Sequence, residues 1–197
     1  MLRKSEIFAE FRKTPEKHWK VKLFDELGFR RKVCKKCSKG FWTLNESKME
    51  CPEHEDYGFI GKTISKVKWD FLESWKEFER FFNKNNHATI SRYPVISRWH
   101  PTLFFTQASI QDFQRFDGEI MEFDYPKNPL IVPQVCLRFN DIENVGITGR
   151  HMTCFIMAGQ HAFTDSSNNG YWKDRGIEFN FEFLSNVMGI PKEEITY

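Results

Sequence analysis

PQVCLRFNDIENVGITGRHMTCFIMAGQHAF, residues Pro133 to Phe163, is the stretch on which the reading of the whole chain turns. An apolar run from Leu130 to Cys136 reaches Arg138 and Phe139 and then breaks into a polar loop holding Gly146 and Gly149. A second strand-like run follows from His151 to Ala158. Side chains on a strand alternate between faces, so His151, Thr153, Phe155 and Met157 share one side, as do Gln134, Cys136 and Arg138 on the first strand. Where those two sides coincide, a guanidinium, an imidazole and a phenyl ring converge. Such a set suits a nucleotide, because a guanidinium grips phosphate oxygens with a planar fork and an aromatic face covers a purine. The residues alone also fit an ordinary hairpin with core aromatics.

Outward from this stretch, 197 residues with 40% hydrophobic content and 21 phenylalanines can bury a real core in one domain with a small appendage. The boundary is expected near residue 66, giving a front segment 1–66 and a main body 67–197. The formal charge of +2 hides an asymmetry: residues 1–40 hold thirteen Lys or Arg against five acids. That excess favours either an RNA backbone or a merely soluble basic face. The start, MLRKSEIFAEF, lacks the apolar core of a signal peptide, and no run has the length to span a bilayer. A cytoplasmic protein without membrane contact is expected.

Within the front segment, VCKKCSKGFWTLNESKMECPEHEDYGF places Cys34 two residues from Cys37 and Cys51 two residues from His54. Two such knuckles can set three thiolates and an imidazole in a tetrahedron around Zn²⁺, a closed site that holds structure and performs no chemistry. The competing reading is reduced cysteines beside a surface histidine, and His54 is the weakest of the four.

Periodicity predicts helices over Ser5–Lys13 and Glu16–Leu27, the second with a Trp19, Leu23 and Leu27 stripe and Gly28 at its end. The clearest helix runs from Trp69 to Asn83, with Phe71, Trp75, Phe78 and Phe82 in one stripe and Asp70 as cap. Thr89 to Trp99 reads as a strand interrupted by Pro94, Asp117 to Pro129 as an irregular connection, and Gly176 to Met188 as a last amphipathic helix stopped by Gly189 and Pro191.

The opening stretch resembles motif 2 of class II aminoacyl-tRNA synthetases. Its wording, CLRFNDIENVG followed by GRHMTCF, is similar to alanyl-tRNA synthetases of the archaeal type. The resemblance continues upstream through RYPVISRW and FFTQASIQDF and downstream through YWKD to GIPKEEITY, nearly the whole chain. It implies an α+β fold: a class II synthetase-like mixed or antiparallel sheet flanked by helices, with an N-terminal zinc knuckle. It also implies alanine activation by ATP with Mg²⁺ and transfer to tRNA(Ala), with charge developing on phosphate oxygens.

Carried over by residue, Arg138 matches the arginine that contacts the α-phosphate and the substrate carboxylate, and is the expected catalytic residue. His151 matches the basic residue on the γ-phosphate, with Arg150 as the neighbouring candidate. Phe155 matches the ring that stacks on adenine, and Met157 shares its face. Ile110 lies in the segment beside the family's amino-acid pocket, although an apolar residue in an apolar run is as readily core. Asp141 and Asn144 could orient these contacts or approach the tRNA acceptor end, and His161 reads as structural. The Trp69–Trp99 helix and strand resemble motif 1, whose usual role is subunit contact, so a homodimer is among the implied partners.

Three departures stand out. Ile156 occupies a position where the family usually has Glu, with Gln160 as a conceivable substitute. His54 closes the second knuckle where the family has a cysteine, before a YGFIG segment at 57–61 that the family shares. No Gly-rich strand-to-helix turn of the kind used by the family's motif 3 is found, so ATP contacts with poor or absent aminoacylation are expected of this chain. The alternative from another class is a non-catalytic, zinc-containing RNA-binding module with a synthetase-like fold, which the basic front end and Ile156 favour and Arg138 opposes.

Overall fold

The computed structural model describes residues 4–54, 64–149, 151–164 and 170–197. In chain order the elements are helices α1 (Lys4–Lys13), α2 (Pro15–Trp19) and α3 (Lys22–Leu27), strands β1 (Arg30–Val33) and β2 (Gly40–Thr43), helix α4 (Phe71–Lys84), strands β3 (Ala88–Thr89), β4 (Gln114–Asp117), β5 (Ile120–Phe123), β6 (Leu130–Leu137) and β7 (Cys154–His161), and helix α5 (Lys173–Glu182). They form two compact units. One gathers residues 1–56 with 173–186 and 190–197, and the other residues 57–172 with 187–189. Strand β6 pairs in parallel with β3 and antiparallel with β7, so the expected α+β class with a mixed sheet flanked by helices holds.

In the first unit the single helix expected over Glu16–Leu27 is broken in two. Lys20 and Val21 are extended (ψ 140° and 157°), which turns Val21 and Phe24 inward together, 2% and 1% exposed, and leaves Trp19 outside. The carbonyls that α2 leaves open are met by Lys173 Nζ, 2.9 Å from His18 O and 3.2 Å from Lys20 O. Gly28 ends α3 in the left-handed region at φ 80°, where a side chain would be strained. Phe29, Trp42, Phe181 and Ile195 complete the core around Val21 and Phe24. Trp42 and Tyr197 exchange both main-chain hydrogen bonds, and Thr196 bridges Thr43, so the last residues lie beside β2 after a 3-10 turn over Lys192–Glu194.

In the second unit α4 begins at a reciprocal cap. Asp70 Oδ1 accepts from Glu73 N at 2.7 Å while Glu73 Oε2 accepts from Asp70 N at 3.0 Å. The helix packs against β6, with Phe82 1% exposed on the buried side; Phe71, at the start of the expected stripe, stays 68% exposed. Leu130, Ile131 and Val132 have no exposure, so β6 is covered on both faces.

The strand expected over Thr89–Trp99 is short, only Ala88–Thr89. Beyond it Pro94 lacks a ladder donor, and the Gln134 side chain takes over: its Oε1 accepts from Tyr93 N at 2.8 Å and its Nε2 donates to Tyr93 O at 3.1 Å. The expected irregular connection instead holds the turn and second strand of the β4–β5 hairpin, which turns at Gly118-Glu119 with the glycine at φ 59°. Strand β7 starts three residues later than expected, because His151 N donates to Thr148 Oγ1 and closes a turn first. Helix α5 starts three residues earlier than expected and passes at Phe183–Val187 into a π-helical turn, and Phe179, Phe181 and Phe183 are all buried.

Asp70→Ala removes the acceptor for Glu73 N and is expected to destabilise the second unit by about 1 kcal/mol. A urea titration should show a lower midpoint with an unchanged slope.

Candidate functional site: a cleft at the end of the β6–β7 pair

Register places the functional side chains. Cys136 pairs with Phe155 and Gln134 with Met157, so the face expected from alternation is one continuous face across both strands. One step beyond β6, Arg138 N donates to Thr153 O at 2.9 Å and carries the same face to the strand ends. There an open cleft of about 680 Å³ is lined by Arg138, His151 and Phe155 together with Gln107, Ala108, Gln111, Asn140, Asp141 and Met152. The Arg138 guanidinium carbon sits 5.0 Å from the centre of the Phe155 ring, and Nε donates to Gln107 O at 2.9 Å. The His151 ring is anchored by Nδ1, 2.6 Å from Thr148 Oγ1. Asp141 reaches the rim from a left-handed backbone position, φ 57°. A guanidinium, an imidazole and an aromatic ring therefore share one opening to solvent.

Other sequence-predicted residues lie elsewhere. Met157 is on the same face but turns its sulfur to Ser109, 3.4 Å from both N and Oγ, and does not line the cleft. Ile110 packs against the Phe113, Leu130, Val132 and Phe163 cluster and edges a second cleft of about 540 Å³ with Phe123, Tyr125 and His161. Arg150 lies outside the described residues, as does the 57–61 segment. Ile156 pairs with Val135 and Gln160 with Ile131, both on the sheet face opposite the Arg138 face, and Gln160 Nε2 donates to Tyr171 OH at 2.6 Å. The missing glutamate position is thus not in the cleft wall.

In the segment 107–113, from which sequence reasoning chose Ile110, the residues that line the cleft are Gln107, Ala108 and Gln111. Gln111 Oε1 accepts from Gln107 N at 2.7 Å and Ala108 N at 3.3 Å, capping a 3-10 helix over Ser109–Phe113. The four-residue spacing of the two glutamines was the available signal. Behind them Asp112 is fully buried, and neither carboxyl oxygen has a hydrogen-bond partner among the described residues. Burial raises its pKa to about 7, against the pull of the Arg115 guanidinium.

In the front unit, Cys34, Cys37, Cys51 and His54 bring their ligand atoms within 4.8 Å of one another. Cys37 Sγ and Cys51 Sγ are 3.7 Å apart, and His54 Nδ1 is 3.3 Å from Cys51 Sγ and 3.9 Å from Cys34 Sγ. Tetrahedral zinc with ordinary bond lengths needs S···S edges of about 3.8 Å and S···N edges of about 3.6 Å, so the donor set fits a zinc-knuckle-like site. The β1–β2 hairpin positions the first pair: Cys34 N donates to Lys39 O at 2.9 Å and Ser38 turns through φ 60°. Burial alone would raise the Cys34 thiol, but main-chain donors of Cys51, Cys37 and Lys36, with the Cys37 side chain, lower its pKa to about 6.

The basic excess at the front is partly neutralised by folding. Lys13, Lys20, Lys22, Arg30, Lys36 and Lys39 each pair with an acid within 3.1 Å, and Glu46, Glu50 and Glu53 come from beyond the basic stretch. Such exposed pairs add little stability, yet they thin the positive field an RNA backbone would meet. Among the described residues no helix is long and apolar enough to cross a membrane.

The family described as tRNA synthetases class II (A) matches residues 73–197, and the chain belongs to it. Within that family the likeness is to alanine–tRNA ligases. The chain is 48% identical to that of Nitrosopumilus maritimus over 196 residues, covering 98% of the chain and 22% of the relative. It is 47% identical to that of Cenarchaeum symbiosum over 198 residues, and 42% identical to that of Methanocella arvoryzae over 193, with 100% and 95% of the chain and 22% of each relative covered. The chain thus spans about a fifth of the length of these curated relatives.

Because the Asp112 carboxyl holds its proton more tightly folded than unfolded, its contribution to stability is complete below about pH 4 and is lost as the pH climbs to about 7. Asp112→Asn stays neutral and is expected to flatten that dependence and to raise stability by about 1–3 kcal/mol near pH 8, read by denaturant titrations across the range.

Proposed function

We propose that the cleft is the motif 2 part of an alanine–tRNA ligase site, in which ATP is held for the activation of alanine. The observation that carries this is the convergence of Arg138, His151 and Phe155 on one open face, in a chain whose relatives are alanine–tRNA ligases. In this reading Arg138 grips the α-phosphate and the amino acid's carboxylate. His151 meets the γ-phosphate with Arg150 beside it, and Phe155 covers the adenine. Mg²⁺, when bound with the nucleotide, would supply further positive charge to the phosphates beside Arg138 and His151. The chemistry asks for no protein nucleophile. The alanine carboxylate attacks the α-phosphate and pyrophosphate leaves, so the chain's own task is to orient two anions against each other and to offset their growing charge.

Residues 1–66 serve as the zinc-bearing front segment and 67–197 as the first part of the catalytic body. Cys34, Cys37, Cys51 and His54 hold a structural Zn²⁺ that keeps the β1–β2 hairpin and the second knuckle together. The further partners are alanine and tRNA(Ala), a homodimer contact falls to the motif 1 region, and the work is cytoplasmic. Met157 and Ile110 back the site without lining the cleft.

ATP should bind the 197-residue chain, and Arg138→Ala should weaken binding about 10–100-fold, the worth of a charge-assisted pair. Titration calorimetry with ATP and, separately, acceptor-stem RNA checks this. Salt-sensitive RNA binding with no ATP binding would replace the enzyme reading with the RNA-binding module.

Metal analysis of the purified chain should give one zinc per chain, and Cys51→Ser should lose it. Chelation should lower the melting temperature of the native chain and leave that of Cys51→Ser unchanged.

A further inference from the structure

The turn Ser109–Phe113 lies across β6 and β7, held by an unusually close approach. Ser109 is 1% exposed, and its Oγ sits 2.8 Å from His161 Nε2 and 3.4 Å from Met157 Sδ. Gly159 lies between those two β7 residues on the same face. A Cβ there would come within 2.5 Å of Ser109 Oγ, 2.9 Å of His161 Nε2 and 3.0 Å of Ser109 Cβ, closer than side-chain carbons approach other atoms. Only a residue without a side chain lets the turn sit this low. Burial lowers the His161 pKa to about 4, so at neutral pH the ring is uncharged and Nε2 can accept the Ser109 hydroxyl proton.

Two residues before Ser109, the Gln107 carbonyl takes the Arg138 Nε proton. That carbonyl has little freedom. Thr106 O accepts from Leu137 N at 2.9 Å on one side, and Gln111 Oε1 holds Gln107 N and Ala108 N on the other. With Nε engaged, the guanidinium keeps four N–H groups on its two terminal nitrogens for the cleft, in a plane set by the carbonyl.

We infer that Ser109, His161 and Gly159 form a clasp that aims the Arg138 guanidinium, making them positioning residues for the phosphate-binding arginine. The inference rests on the ATP reading for its purpose, and on the geometry alone for its existence. Arg138 is an exposed, rotamer-rich side chain, and a clasp that fixes its anchoring carbonyl removes much of the ordering cost before the ligand arrives.

The test has two readouts on the full chain. Solvent exchange of the Arg138 Nε proton, followed by nitrogen-edited NMR, reports the anchor without any ligand. Gly159→Ala and Ser109→Ala should each speed that exchange about tenfold, the loss expected for one hydrogen bond. The same variants should weaken ATP binding about 5–10-fold and leave adenosine binding unchanged, because the guanidinium serves the phosphates. Ser109→Ala removes only a hydroxyl and keeps the test open where Gly159→Ala does not fold. Native exchange rates in the variants would overturn the clasp, as would an equal loss for adenosine and ATP, which marks general loosening. If the unaltered chain binds no ATP, the ATP reading falls while the exchange rates still decide the clasp.

Discussion

The antiparallel register that sets Cys136 against Phe155 and Leu137 against Cys154 decides which side chains meet at the cleft. Strand side chains alternate with period two, so a slip of one residue would carry Phe155 to the opposite face of the sheet while Arg138 stayed behind. The register is held from below: Leu130, Ile131 and Val132 are fully buried, and a slip would force main-chain and side-chain groups of both strands into the wrong layer. Burial at one end of β6 thereby governs chemistry at the other, about a strand length away.

Polar groups under the cleft show two opposite solutions to burial. Gln134 is wholly buried and bonded through both amide atoms: its amide serves Tyr93 N, Tyr93 O and Val135 O, standing in for the ladder that Pro94 interrupts. Asp112 is as deeply buried and has no hydrogen-bond partner among the described residues, and its charge in turn helps burial raise the Cys136 thiol to about 11. Gln134 lies on β6 beneath the cleft, and Asp112 belongs to the turn that forms the cleft wall. The first fixes the path of the chain on one side of β6, and the second makes the wall's attachment depend on a proton.

Much of this was legible from pattern. Alternation grouped His151 with Phe155 and Arg138 with Cys136, and paired spacing brought Cys34, Cys37, Cys51 and His54 together; that the first two groups share one cleft follows from register. What escaped was set by tertiary partners. Nothing local shows that Lys173 will cap α2 and let the helix break at Val21, or that a side chain of β6 will replace main-chain pairing at Tyr93. The β4–β5 hairpin was signalled by Gly118 and hidden by the acids and prolines around it. Ile156 illustrates the limit of motif reading. A departure that looked like damage to the site lies on the other side of the sheet, a distinction that only register makes visible.

The front unit closes through residues that are far away along the chain: Phe181 and Ile195 are in its core, and Tyr197 is bonded to Trp42. A ribosome delivers residues 57–172 before it delivers that closing stretch. The sheet with its arginine can therefore compact while the cysteine-bearing segment still waits for Phe181, Ile195 and Tyr197. The unit that begins first is completed last, because its core needs the final residues to emerge.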